Sequence, residues 1–140
     1  MNRKRKVKAI IVDIDGTLAI KGDRDIFDFK KCELDTVNEP IAELVRSLKY
    51  KWEIILLSGR EDICREETLR WLDKNNIPYS ELHMRRASDH RKDAIVKKEI
   101  YDNNIKDNYE IVFVLDDRNQ VVDFWRSEGL TCLQVAAGDF

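Results

Sequence analysis

The chain has 140 residues, the size of about one domain, and its five glycines and two prolines are too few for a collagenous or low-complexity protein. With 43% hydrophobic and 37% charged residues it can bury one core beneath a charged surface, which excludes a disordered chain. A net charge of -2 excludes a uniformly basic nucleic-acid coat, so any polyanion would have to be met by local clusters.

The first such cluster, Arg3-Lys4-Arg5-Lys6 with Lys8, reads as a solvated basic tail over residues 1–6. Val7 to Val12 is an apolar strand that runs straight into Asp13-Ile14-Asp15-Gly16-Thr17. It is far too short for a membrane span and ends in an acid, so neither a span nor a signal peptide is expected. Thr17 to Asp35 is a modest loop. Pro40 to Leu48 follows as a helix, with Ile41, Leu44, Val45 and Leu48 on one face.

Trp52 to Leu57 is the next strand, ending in Ser58-Gly59-Arg60, and Ile63 to Lys74 is a helix. Glu81 to Met84 is a weaker strand, followed by a second basic cluster of Arg85, Arg86, Arg91, Lys92, Lys97 and Lys98. Asp93 to Ile105 reads as a helix, Ile111 to Leu115 as a strong strand ending in Asp116-Asp117, and Gln120 to Ser127 as the last helix. Thr131 to Val135 closes the set. Trp71, Tyr101 and Trp125 lie within helices and are expected to serve the core. Cys32, Cys64 and Cys132 form no close pair and are odd in number, which points to a reducing, cytoplasmic setting.

Apolar strands joined by single helices predict an α/β fold: a doubly wound, Rossmann-like sheet of five parallel strands with helices on both faces. Residues 1–140 then make a single domain, with no room for a large cap between the motifs. Ligands of such sheets bind beyond the carboxyl ends of the strands, where the strand order reverses. Asp13, Asp15, Ser58, Asp116 and Asp117 all fall at that edge.

Two carboxylates closing a central strand suit phosphoryl transfer. Asp13 is placed to attack phosphorus and form an acyl phosphate, and Asp15 to protonate the departing alkoxide and later deprotonate water. An anion attacking a phosphate dianion needs a hard cation between them. Asp13, Asp116 and Asp117, with the backbone carbonyl of Asp15, would suit Mg²⁺, and no His or Cys cluster with zinc spacing competes. Ser58 can hydrogen-bond a phosphoryl oxygen. Lys97, one turn after Asp93, is the favoured lysine for balancing its charge, with Lys92 as the alternative.

The order of these motifs resembles the haloacid dehalogenase (HAD) superfamily of phosphohydrolases. Asp13-Ile14-Asp15-Gly16-Thr17-Leu18-Ala19, Ser58-Gly59-Arg60-Glu61, Arg91-Lys92-Asp93, Asp116-Asp117-Arg118 and the tail Gly138-Asp139-Phe140 are similar, more closely, to the 3′-phosphatase domain of phage polynucleotide kinase. That resemblance implies an Asp13 nucleophile, an Asp15 general acid-base, and a site that includes Arg24, Arg60, Asp93, Asp116 and Asp117. It adds Arg85 as a basic substrate contact, beside Thr17, Gly59 and Lys92. It further implies Mg²⁺-dependent removal of a terminal 3′-phosphate from DNA or RNA, with 2′,3′-cyclic ends as a further substrate by likeness. A homo-oligomer, or a separate kinase or ligase partner, stays open.

Two departures stand out. No Gly-x-x-x-x-Gly-Lys-Ser/Thr loop occurs, so no 5′-kinase activity is expected of these residues. The segment Glu61 to Arg70 is also shorter than in the phage enzyme. Two other readings remain at this stage: a phosphatase of small metabolites or phosphoproteins, and a non-catalytic module that binds nucleic-acid ends.

Overall fold

The computed structural model describes residues 5–22 and 28–140. Five parallel strands form the central sheet: β1 (Val7–Val12), β4 (Glu53–Glu61), β5 (Glu81–Arg85), β6 (Tyr109–Asp116) and β7 (Cys132–Gln134), in the order β5-β4-β1-β6-β7. From β1 the chain winds outward through β4 to β5, then crosses back to lay β6 against the other side of β1. The order therefore reverses between β1 and β6, and that is where Asp13 and Asp116 emerge.

Strand periodicity divides the core. Ile10 and Val12 of β1, with Ile54 and Leu56 of β4, face one layer, where they meet Ala42 and Val45 of α1 (Glu39–Leu48) and Trp71 and Leu72 of α2 (Arg65–Lys74). Ala9, Ile11, Ile55 and Leu57 face the other, against Tyr101, Val121, Val122 and Trp125 of the segments around α3 (Asp93–Ile100) and α4 (Asn119–Ser127). The expected aromatic core residues Trp71, Tyr101 and Trp125 are all buried there. Removing a side chain such as Leu56 to Ala would cost about 2–5 kcal/mol, because both the transfer energy and the cavity count.

Four local features differ from the sequence expectation. β4 does not stop at Leu57 but continues through Ser58-Gly59-Arg60, with its pairing to β5 shifting between Ser58 and Glu61. The helix expected from Ile63 opens as a 3₁₀ turn, Asp62–Cys64, before α2. The helix expected to reach Ile105 changes at Tyr101–Ile105 to a π turn. The loop after Thr17 contains a two-stranded antiparallel ribbon, β2 (Ala19–Ile20) with β3 (Thr36–Val37), and a 3₁₀ turn at Phe29–Leu34.

Among the described residues, no insertion forms a separate cap over the strand ends. The three cysteines are buried, and no helix of the described residues is long and apolar enough to cross a membrane. Arg24 and residues 1–4 of the basic tail lie outside the described residues.

Candidate active site

Asp13 leaves β1 still tied to the sheet, its amide donating to the carbonyl of Leu115 at 3.0 Å. The chain then folds back on itself, with the amides of Thr17, Leu18 and Ala19 converging on the Ile14 carbonyl at 3.2, 2.9 and 2.9 Å. Gly16 allows this bend twice over. Its φ is +83°, and a Cβ built there would lie 2.0 Å from Oδ2 of Asp117. The loop after β1 and the end of β6 thus press together without a side chain between them.

Three carboxylates meet at that junction: oxygen atoms of Asp13, Asp116 and Asp117 lie within 4.8 Å of one another, and all three residues are buried. Lys97 reaches the same point from α3, donating from Nζ to Oδ1 of Asp13 at 2.9 Å and to Oδ2 of Asp116 at 3.0 Å. Thr17 donates to the other oxygen of Asp13 at 3.0 Å. Asp116 is further fixed by the indole of Trp125 at 3.3 Å and by the amide of Asp117 at 2.9 Å.

Burial, and after it the charge of Asp116, pushes the Asp13 carboxyl well above the usual carboxylate range, with Lys97 pulling the other way. Burial works against the Lys97 ammonium, but Asp116, Asp13 and Asp93 outweigh it and hold its pKa well above that of an ordinary lysine. Burial also raises Asp117, opposed by its hydrogen bond with Asp13. One ammonium faces three buried carboxyl groups, an excess of acidic oxygens that a further cation would relieve. An all-oxygen donor set with that excess fits a hard divalent cation such as Mg²⁺.

The carboxylate of Asp15 is outside this cluster. Its side chain is 47% exposed at the mouth, where Arg60 holds it side-on, with Nη2 2.7 Å from Oδ1 and Nε 2.9 Å from Oδ2. Arg60 itself is buried, anchored to Asp35 at 3.2 Å and to the Thr68 hydroxyl at 3.1 Å. Burial alone would lower the basicity of Arg60, but Asp15 and Asp35 overcome it and keep the group cationic. Ser58 is fully buried beneath it, and its hydroxyl accepts from the Arg60 amide at 3.1 Å.

Gly59 makes room for Asp93, since a Cβ there would stand 2.1 Å from Oδ1 of that residue. Asp93 then lies 3.7 Å from Lys97 Nζ, 3.2 Å from Arg85 Nη2 and 3.9 Å from Arg118 Nη1. Arg85 is heavily engaged by backbone, donating to the carbonyls of Gly59 at 2.8 Å and Asp89 at 2.9 Å. The structure places it as a clamp on the loop leading to Asp93. Lys92 is exposed and lines a groove together with Gly59, Asp93 and Arg118, whereas Lys97 bridges the buried carboxylates.

A family model described as "Polynucleotide kinase PNKP phosphatase domain" matches residues 7–140, the whole of the sheet and every carboxylate above. The chain belongs to that family. A relative from Autographa californica nuclear polyhedrosis virus, named "Putative bifunctional polynucleotide kinase/RNA ligase", is 31% identical over 125 residues, covering 85% of this chain and 18% of its own length. Two solved structures of a Pnkp1/Rnl/Hen1 complex, one of them called an RNA repair complex, contain a similar chain. They match with TM-scores of 0.93 and 0.94 at 46% and 45% identity, over 96% and 99% of this chain. This chain spans 44% and 49% of those two chains, so it corresponds to less than half of each. As a phosphatase domain of this family, it is a HAD-like phosphoesterase.

Several residues that shape the site had no local signal. Asp35 and Thr68 hold Arg60 from distant parts of the chain, and only a rule that a buried arginine needs acids around it hints at such partners. Gln134 donates to the Asp117 carbonyl at 2.8 Å, and Gly138 packs so closely that a Cβ would lie 1.9 Å from the same oxygen. Together they fix the backbone that carries Asp117.

Proposed function

We propose that this chain is a Mg²⁺-dependent polynucleotide 3′-phosphatase that works through an aspartyl-phosphate on Asp13. The observation that carries the reading is the meeting of Asp13, Asp116, Asp117 and Lys97 at one buried point, with Asp15 standing at an open mouth beside it.

An Asp13 oxygen attacks phosphorus while the bond to the sugar 3′ oxygen breaks, and Asp15 delivers a proton to that departing oxygen. Water then attacks the acyl phosphate, Asp15 takes its proton, and inorganic phosphate leaves with Asp13 restored. Thr17 and Lys97 hold the two Asp13 oxygens in place between these steps. Arg60 keeps the Asp15 carboxylate aimed at the mouth, and Ser58, whose hydroxyl accepts from the Arg60 amide, has its O–H left to donate to a phosphoryl oxygen. Mg²⁺ held by Asp13, Asp116 and Asp117, with the Asp15 carbonyl, would neutralise charge between nucleophile and phosphate. Arg24, Arg85, Lys92 and Asp93 complete the substrate side of the proposed site.

The absence of a cap among the described residues favours a large substrate over a small metabolite. The names of the similar proteins join polynucleotide kinase to RNA ligase and to RNA repair, which supports end healing ahead of ligation with a kinase or ligase partner. The test is a panel of 3′-phosphorylated, 5′-phosphorylated and cyclic-ended DNA and RNA, run with Mg²⁺ and with chelator. Phosphate release from 3′ ends only with Mg²⁺ is expected. Faster turnover of free mononucleotides or sugar phosphates than of strand ends would overturn it.

A further inference from the structure

Phe140 is 65% exposed, yet its backbone and ring are both fastened. Arg118 donates from Nε to the Phe140 carbonyl at 2.8 Å and lays its guanidinium 5.0 Å from the ring centroid. The preceding turn is pinned as well, with the Asn119 amide donating to the Gly138 carbonyl at 2.8 Å and Gly138 seated against the Asp117 backbone. A phenylalanine has no polar tip to solvate, so holding it open to water in one orientation costs free energy that burial would have avoided.

The location gives that ring a use. Arg118 follows the acidic pair directly, and its Nη1 lies 3.9 Å from Asp93, which in turn stands 3.7 Å from Lys97. A groove of about 340 Å³ runs beside this chain of contacts, lined by Gly59, Lys92, Asp93 and Arg118. Exposed Lys92 and Arg91 along it, with the half-buried Arg118, suit the phosphates of a strand entering the mouth. Phe140 meets that groove through Arg118, and an exposed aromatic face there suits a nucleobase, because every base has a π surface to stack whatever its sequence.

We infer that Phe140, backed by Arg118, is a stacking platform for one of the last two bases of the strand whose terminal phosphate reaches Asp13. The inference rests on the proposed function and adds how the strand end is held. Phe140 is a positioning residue: it touches the substrate's base and leaves the reacting atoms to the carboxylates.

The experiment compares kcat/KM for 3′-phosphorylated oligonucleotides that are fully base-bearing, abasic at the last nucleotide, or abasic at the one before. The parent chain should lose about tenfold on one of the two abasic strands, mainly through KM. Phe140→Ala and Phe140→Leu should react with that abasic strand and the base-bearing strand alike, whereas Phe140→Trp should keep the parent's discrimination. Phe140→Leu retains apolar bulk without a π face, so it separates stacking from a packing defect. Equal abasic sensitivity in Phe140→Leu and the parent, or a parent indifferent to both missing bases, would overturn the inference while leaving the function standing. A parent that releases phosphate from none of the base-bearing strands would instead overturn the function itself.

Discussion

Arg60 grips Asp15 from the side, with Nε and Nη2 both within 3.1 Å of its carboxylate, while its own charge is sunk beside Asp35. Asp15, the proposed general acid, is therefore oriented by a buried cation rather than by the exposed surface around it. Arg60→Lys keeps a charge but loses the planar fork, so kcat should fall by about 100-fold from misplacement of Asp15. Pairing Arg60→Ala with Asp35→Asn should recover much of the stability lost by Arg60→Ala alone, and none of the rate. Steady-state kinetics and thermal melts check the two separately; recovery of rate in the double variant would show that Arg60 acts only on folding.

Asp13→Asn should reduce turnover to background without weakening the fold. The substitution removes a carboxyl that burial and Asp116 already make reluctant to ionise, and its amide oxygen can still accept from Lys97. Metal-free melting should therefore stay within about 1 kcal/mol of the parent or rise. Phosphate release near the parent rate would remove Asp13 as the nucleophile.

Lys97→Met fills the same space but strips the cation from Asp13 and Asp116. In chelator the variant should lose about 3–5 kcal/mol, the usual cost of breaking a buried ion pair from one side. Mg²⁺ should then restore more of its melting temperature than it adds to the parent. Melts with and without Mg²⁺ test this, and equal gains in both proteins would mean that the ion does not bind among these acids.

Gly16→Ala places a methyl group on Asp117 and forces a left-handed backbone on an alanine, a strain of about 1–3 kcal/mol. The Mg²⁺ concentration for half-maximal activity should rise, since the displaced residue belongs to the acidic cluster. A Mg²⁺ titration that overlays the parent would separate Asp117 from metal binding.

Burial, and after it the charge of Asp116, pushes the Cys132 thiol up to about 11. The raised value disfavours the thiolate, so at pH 8 only about one molecule in a thousand carries it. Iodoacetamide labelling of Cys132, followed by mass spectrometry, should be slow at pH 8 and rise about tenfold per pH unit toward pH 11. Labelling that levels off near pH 9 would contradict the burial of this thiol.

Much of the framework was legible because strand ends and chemistry coincide. Val12 closes β1 where the apolar run meets Asp13, and the acids after β1 and at the end of β6 converge as a doubly wound sheet requires. Lys97 was separable from Lys92 by helix geometry, since only the former sits one turn into α3 facing back toward the strand ends. Ser58-Gly59-Arg60 was harder: glycine and serine signal a loop, whereas a shift in pairing with β5 lets the strand carry on and turns Arg60 inward. The engagement of Arg85 was not legible, because two of its partners are the carbonyls of Gly59 and Asp89, which leave no mark in a sequence, beside the carboxylate of Asp93. The β2–β3 ribbon spans two residues on each side, too few for any periodic pattern.

The seam between β1 and β6 joins segments from opposite ends of the chain, and the acidic cluster straddles it. Asp13 and Asp116 meet only where the return crossing lays β6 beside β1. A chain cut short before the end of β6 therefore lacks two of the three acids that meet at this point.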